Sequence, residues 1–374
     1  MRVAVDALSI TNFSGKRVVL GHLANLAAAG RGRHSFHVFH TRSNRHLRRD
    51  LGDNVEWIEC AGAGSHWPRR IAWQALAYDR ALRRAGADLL IATSGSLLPA
   101  VRIPQLVLAM NPWCFWPQFH RSVSDRLKAA LQRRGYLRAQ RDAAAVFFLS
   151  GYMASAYREN AGVEPRAGGV AYSGVDDGVF AARVPVPEFD ERQFQVLCVS
   201  VMARHKSIED LVDALKLLHN RGVAARLALV GPWPDADYRQ EIEHRIVDAG
   251  LSAAVTITGA VDDQDLVSQY QSSRVFCLLS RCESFGIPAV EAQLYGTPCV
   301  VADTCASPEI AGPGGSIVPP GDIEAAASAL AILLIDRIAW LEASSHAMAN
   351  VERFRWSKVS QPLIEFIDSF EGSA

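Results

Sequence analysis

Short apolar runs with strand character alternate with helix-period stretches along nearly the whole chain. In the first half, strands are predicted at residues 3–7, 34–40, 55–60, 88–93, 105–109, 145–149 and 170–172. In the second half they fall at 194–199, 225–230, 255–258, 275–279, 298–302 and 317–318. Helices are predicted between them, including 18–29, 67–86, 121–141, 151–160, 207–218, 238–249 and 262–272, with more beyond 322. Continuous apolar strands suit a parallel sheet covered on both faces. The repeated strand–helix alternation predicts an α/β protein of two doubly wound, Rossmann-like domains. Val184-Pro185-Val186-Pro187 is the expected linker, which puts the first domain at 1–184 and starts the second at 185.

The most informative stretch runs from Ser280 to Val301. It reads as the end of a strand, a turn, a helix and the next strand. Glu283 lies in the turn, and Glu291 is expected about two turns into the helix. Pro288 suits a helix first turn, so the helix should begin at Gly286 to Pro288. Free N–H groups and the positive dipole end then face the strand end, a ready anion site. One segment thus offers two hydroxyl-binding carboxylates around an anion cradle. Sugar hydroxyls, a diphosphate and ribose hydroxyls have that layout. Near the end of the 194–199 strand stand Arg204 and Lys206, two cations that can reach a diphosphate there. His205 between them is expected at the surface.

The chain's 374 residues, 49% of them hydrophobic, are enough for two ordinary domains. No apolar run reaches the roughly 18–20 residues of a spanning helix, and the N-terminus reads as a strand, not a signal peptide. The seven cysteines form no CxxC pair and fit a reducing cytoplasm. Net charge is zero but divided. Residues 1–184 carry 25 Lys/Arg against 13 Asp/Glu, and residues 185–374 carry 14 against 26. The first half is therefore suited to an anionic partner, or the halves attract each other.

Other features carry weaker chemistry. Gly15, in the segment Thr11 to Arg17 after the first strand, stands where a backbone turn can meet phosphate or sugar, or is only a turn. Asn111 follows the 105–109 strand, at the edge where α/β ligands bind. His34, His37 and His40 do not share a strand face, so a metal site is not expected. Asp235-Ala236-Asp237 spells a DxD, but its place at a helix start favours capping over metal. Arg69, Arg70, Arg80, Arg83 and Arg84 stand among Trp67, Trp73 and Tyr78, and residues 121–141 hold seven Lys/Arg. Such interleaving suits an anionic membrane interface, or a solvated basic face with aromatics in the core. No nucleic-acid-binding motif accompanies it, and nucleic acid is not an expected partner.

The segment Glu283 to Ala292 is similar to the E-x7-E segment of glycosyltransferase family 4, of the GT-B fold. Ser173-Gly174-Val175-Asp176 with Phe180, Val230-Gly231-Pro232, Thr258-Gly259, Pro308-Glu309-Ile310 and Phe354-Arg355-Trp356 resemble the family's other landmarks, in order. The resemblance implies two domains facing an interdomain cleft: an acceptor domain (1–184), a donor domain (185–356) and a C-terminal helix (357–374) crossing back to the first. It implies a retaining hexosyltransferase that uses a nucleotide diphosphate sugar, without metal or other cofactor. Lys206 would hold the diphosphate, with Arg204 in support. Glu283 would hold donor-sugar hydroxyls, backbone N–H groups of Ser284, Phe285, Gly286 and Ile287 the phosphates, and Glu291 the ribose. Gly15 and Asn111 would serve the acceptor side. Val201, Met110-Asn111 and Ser173 depart from the family's usual Arg, His and Asn. A glycan or polyprenyl-diphosphate-linked acceptor is expected, for exopolysaccharide or lipopolysaccharide, with the protein in the cytoplasm or peripheral on the membrane's inner face. A non-catalytic nucleotide-sugar binder, an epimerase and a phosphorylase are the alternatives on this fold.

Overall fold

A computed structural model describes residues 1–10, 13–64, 67–98, 100–120, 122–182 and 186–370. The expected turn residues Thr11 and Asn12, the helix-start Arg121 and the linker residues Val184 and Pro185 lie outside the described residues, as does the side chain of Trp67. The chain divides into two compact units: Met1–Gly174 with Trp356–Ala374, and Val175–Arg355. The division falls at Gly174, before the Pro-rich linker, because Val175 is tied into the second unit. Its N–H donates to the Phe354 carbonyl at 2.7 Å, and it bridges to Arg355.

The first unit holds seven parallel strands: β1 (Arg2–Asp6), β2 (Ser35–His40), β3 (Val55–Glu59), β4 (Leu89–Ala92), β5 (Gln105–Ala109), β6 (Ala145–Phe148) and β7 (Gly168–Val170). Their order is β3-β2-β1-β4-β5-β6-β7, so the order of strand addition reverses between β1 and β4. The connecting helices are α1 (Phe13–Ala29), α2 (Trp67–Trp73), α3 (Asp79–Arg84), α4 (Val123–Asp142) and α5 (Gly151–Ala161). Helix α1 starts earlier than its apolar period suggests, which puts Gly15 inside its first turn instead of in a loop. A π-helical turn, Gln74–Tyr78, joins α2 to α3. Ser150 caps α5 as expected, accepting from the Met153 N–H at 3.2 Å.

The second unit holds α6 (Asp177–Ala182) and six parallel strands: β8 (Gln193–Val199), β9 (Arg226–Val230), β10 (Val255–Gly259), β11 (Ser273–Leu278), β12 (Cys299–Ala302) and β13 (Gly315–Val318). The order is β10-β9-β8-β11-β12-β13, reversing between β8 and β11. Its other helices are α7 (Ile208–Asn220), α8 (Ala236–Asp248), α9 (Asp263–Ser272), α10 (Ile287–Leu294), α11 (Ser307–Ala311), α12 (Ile323–Ile335) and α13 (Arg337–Val351).

The chain then returns to the first unit as α14 (Trp356–Val359) and α15 (Gln361–Phe370). Leu363 and Ile367 join the core made by α1 and one face of the first sheet. Burying two such side chains is worth roughly 3–6 kcal/mol. Phe366 meets Phe147 edge-on, and Asp368 pairs with Arg33 and His34, both at 2.8 Å. The returning helix expected from the sequence is thus an integral part of the first unit.

The structure places three groups of side chains that the sequence singled out. Tyr78 is fully buried and Trp73 packs against it, so these aromatics belong to the core and not to a surface. His34 and His40 are buried; His34 hydrogen-bonds to Asp368, and the His40 Nδ1–H donates to the Thr41 carbonyl. Asp235 caps α8, accepting from the Tyr238 N–H at 3.0 Å.

Candidate functional site

In an open parallel sheet, loops from strands on either side of the order reversal splay apart and leave a crevice at the carboxyl edge. The second sheet makes that crevice between β8 and β11. The loop after β8 carries Arg204, His205 and Lys206; the loop after β11 carries Glu283 to Gly286.

The two loops are fastened together. The Arg281 N–H donates to the His205 carbonyl at 2.8 Å. The Arg281 guanidinium donates to Ser207 Oγ at 2.9 Å and to Asp210 at 2.6 Å. Ser207 is buried and left-handed, with φ of 51°, and turns the chain sharply into α7. Thr304 Oγ1 donates to the Ser280 carbonyl, and the Ala306 N–H donates to the Glu283 carbonyl, so the loop after β12 braces the same edge. Arg281 and Ser207 were not singled out from the sequence. The only signal was Arg281's place two residues before Glu283.

Lys206 and Glu283 meet at the centre of this frame, Nζ to Oε2 at 2.5 Å, with side chains only 12% and 13% exposed. A lysine ammonium has three N–H groups, so one bond to Glu283 leaves two for an anion. Glu283 has a second oxygen for a hydroxyl. His205 is partly buried, contrary to the surface expectation, and its pKa falls to about 4. Burial is the main cause; the Lys206 charge adds to it and Glu283 opposes it. It is therefore neutral near pH 7 and adds no charge beside Lys206.

Arg204 takes another direction. Its guanidinium donates to Glu241 at 2.7 Å, lies 3.4 Å from Asp235 and sits 4.9 Å over the Tyr238 ring. These contacts hold it against α8, and the hydrogen bond to Glu241 raises its pKa. Lys206 and Glu283 form one cluster; Arg204 belongs to a neighbouring one.

The turn Ser284 to Gly286 leads into α10. Gly286 is the N-cap with φ of 96°, a conformation that L side chains rarely adopt. Phe285 is buried and meets Phe354 edge-on at 5.6 Å, which pins the turn to the core. The first N–H groups of α10 therefore open near Glu283 with a positive dipole end. Glu291 is the fifth residue of α10, about one turn in, closer to its start than expected. Its Oε2 accepts from Tyr270 Oη at 2.9 Å. Tyr270, stacked on Tyr295, orients this carboxylate and was not foreseen.

In the first unit the strand order reverses between β1 and β4. Thr93 Oγ1 donates to the Asp6 carbonyl there, and Asp6 accepts from the Leu8 N–H and from Gln74. Burial raises the Asp6 pKa to about 6, against the lowering effects of the Leu8 N–H, the Arg70 charge and Gln74. Asn111 follows β5; its side chain accepts from the Trp113 N–H and its carbonyl from Tyr136 Oη. Gly15 and Asn111 thus both stand at the carboxyl edge of the first sheet.

Comparison with known proteins gives these sites a context. Residues 182–352 match the model of the family described as glycosyl transferases group 1. The chain is 28% identical over 177 residues to the O-antigen chain mannosyltransferase B of Escherichia coli, covering 46% of this chain and 45% of that protein. The chain spans less than half the length of the first curated relatives it matches. Among solved structures, sucrose-phosphate synthase from Thermosynechococcus elongatus superposes with a TM-score of 0.75, 18% identity and complete coverage of both chains. The Anabaena HepE protein in complex with UDP and glucose superposes with a TM-score of 0.72 and 21% identity, over 99% of this chain and 100% of that one. The two Rossmann-like units have the GT-B fold.

Proposed function

We propose that this chain, whose residues 182–352 match the glycosyl transferases group 1 model, is a retaining hexosyltransferase that takes a nucleotide diphosphate sugar as donor. The observation that carries this is the Lys206–Glu283 pair between β8 and β11, beside the N-terminus of α10. Lys206 and the α10 N–H groups hold the diphosphate and stabilise the charge that grows on it as it leaves. Glu283 takes donor-sugar hydroxyls, and Glu291, oriented by Tyr270, takes ribose hydroxyls.

In this mechanism the bond from the anomeric carbon to the diphosphate oxygen breaks, and the acceptor oxygen bonds to that carbon on the same face. The acceptor proton passes to the departing diphosphate oxygen. Positioning and charge stabilisation supply most of the rate, and no strong protein base is needed. Lys206 supplies the positive charge that a metal ion would otherwise bring. Asp235 of the DxD is engaged by the Tyr238 N–H and Arg204, which supports a metal-independent reaction. The E. coli relative's name, an O-antigen chain mannosyltransferase, supports a glycan acceptor, and the Anabaena complex with UDP and glucose supports a nucleotide donor. Among the described residues no helix is long and apolar enough to cross a membrane.

The test is incubation with radiolabelled UDP-, GDP- and dTDP-hexoses and a polyprenyl-diphosphate oligosaccharide, with EDTA present. Transfer with the donor's anomeric configuration kept, read by NMR, is the expected result. Donor binding without transfer to any acceptor would instead support a non-catalytic binder. That second reading draws on Val201, which is 53% exposed where the family pattern has a cation.

A further inference from the structure

Helix α4 exposes an apolar stripe where a solvated helix would be polar. Val123, Leu127 and Leu131 are 82%, 63% and 60% exposed. Spacings of four residues place them on one face. Arg134, Arg138 and Arg141 continue that stripe toward the C-terminus, and all three are exposed, as is Arg126 beside it. Among the described residues these four arginines have no carboxylate partner. The opposite face, with Ala129, Tyr136 and Ala139, is buried against the sheet.

The surface is wider than one helix. Leu90 and Ala92 of β4 point to the same side of the first sheet, since strand residues two apart share a face. Leu90 packs in the cluster with Tyr78 and Leu82, and Ala92 in the cluster with Tyr136 and Ala139. The α2–α3 segment and α4 therefore form one layer over that face. The α2–α3 segment adds Ile71 and Leu76, 54% and 86% exposed, among exposed Arg69, Arg80 and Arg84. Of the layer's carboxylates, Asp79 is paired with Arg83 and Asp125 closes the capping box with Ser122, while Asp142 stands at the end of α4.

We infer that this outer surface of α4, with the exposed part of α2–α3, docks the protein onto an anionic lipid bilayer. Val123, Leu127 and Leu131 enter the boundary between headgroups and acyl chains, and Arg126, Arg134 and Arg138 meet the headgroups. Exposed aliphatics in line with unpaired arginines are the pattern of a helix lying in a bilayer interface. A second copy is a poor occupant, because an isologous pair would double the arginines on this surface without bringing carboxylates to meet them. Nucleic acid would leave the aliphatics against phosphates. The inference is independent of the donor chemistry.

The test is sedimentation of the full chain with phosphatidylcholine vesicles, with and without phosphatidylglycerol, at low and high salt. Wild type should pellet with the anionic vesicles and be released by salt. Leu127→Gln with Leu131→Gln should weaken binding about tenfold or more. Arg134→Gln with Arg138→Gln should weaken it roughly fivefold per arginine and flatten the salt dependence. All four positions are exposed and glutamine is a good helix former, so circular dichroism should stay unchanged. Failure of wild type to prefer anionic vesicles would overturn the inference. So would wild-type binding strength in both variants, or a wild-type dimer that the leucine variant dissolves.

Discussion

Lys206 and Glu283, 77 residues apart in sequence, meet with Nζ 2.5 Å from Oε2 at the carboxyl edge of adjacent strands. Neither residue is sheltered enough for the ion pair to be only a core feature, and neither is free at a surface. Lys206→Ala and Glu283→Ala should each lower transfer by at least about a thousandfold, a loss of roughly 4 kcal/mol of transition-state stabilisation. Folding should survive in both. The double variant Lys206→Glu, Glu283→Lys restores an ion pair and should recover thermal stability but not transfer. Recovery of activity in that variant would show that the pair is structural. Steady-state assay together with thermal unfolding reads both quantities.

Tyr270 touches Glu291 and not the reacting centre, so it acts by positioning. Tyr270→Phe keeps the stacking on Tyr295 and removes the hydroxyl that donates to Glu291. Nucleoside diphosphate binding should weaken by about 3–10-fold, the range of one modest hydrogen bond. The wild type's preference for ribose over 2′-deoxyribose nucleotides should shrink as well, measured by calorimetry. An unchanged preference would detach Glu291 from the ribose.

Trp356 anchors the returning helices in the first unit. A methyl group built on Gly21 would fall 2.1 Å from its ring, and one on Gly174 would fall 2.5 Å away. Gly21→Ala should therefore destabilise by about 1–3 kcal/mol, as overpacking does. Gly169, where a methyl group meets nothing within 4 Å, provides the control and should tolerate alanine. Urea unfolding of the two variants gives the comparison.

Two buried groups give opposing acid responses. Asp6 titrates near 6 in the fold against 3.8 in the unfolded chain. Its contribution is present below pH 3.8 and is lost as pH rises through 6, a penalty on the order of 2–3 kcal/mol at neutral pH. His22, lowered to about 4 from 6.5 chiefly by burial, contributes stability above pH 6.5 that is lost as pH falls toward 4. Asp6→Asn should raise the unfolding midpoint at pH 7.5, with Gln74 turning its amide to suit. It should also leave the His22 loss unopposed, so the variant weakens steeply between pH 6.5 and 4. A variant with the wild-type pH profile would remove Asp6 from this account.

Much of this was legible because buried parallel strands write themselves as apolar runs. All thirteen strands fall near their predicted places, and Glu283 to Ile287 with Pro288 announced the α10 turn locally. Side-chain partnerships were not legible, since they depend on which loops the sheet order brings together. Arg204 and Lys206 are two residues apart, yet one turns to Glu241 on α8 and the other to Glu283. Tyr270 reads as an ordinary core aromatic until α9 is placed beside α10. The basic, aromatic-rich segment of α2–α3 left open which of its apolar side chains face solvent. Tyr78 went into the core, and the exposed apolar positions are Ile71 and Leu76 instead.

The central claim is that the crevice beside Lys206 and Glu283 receives the diphosphate of a sugar donor. Isothermal titration of the wild type and Lys206→Ala with UDP and GDP tests it most directly. The account predicts saturable binding of at least one of them by the wild type, weakened about tenfold or more in the variant by loss of a charged hydrogen bond. Binding of equal strength in the variant, or no binding of either nucleotide by the wild type, would contradict it.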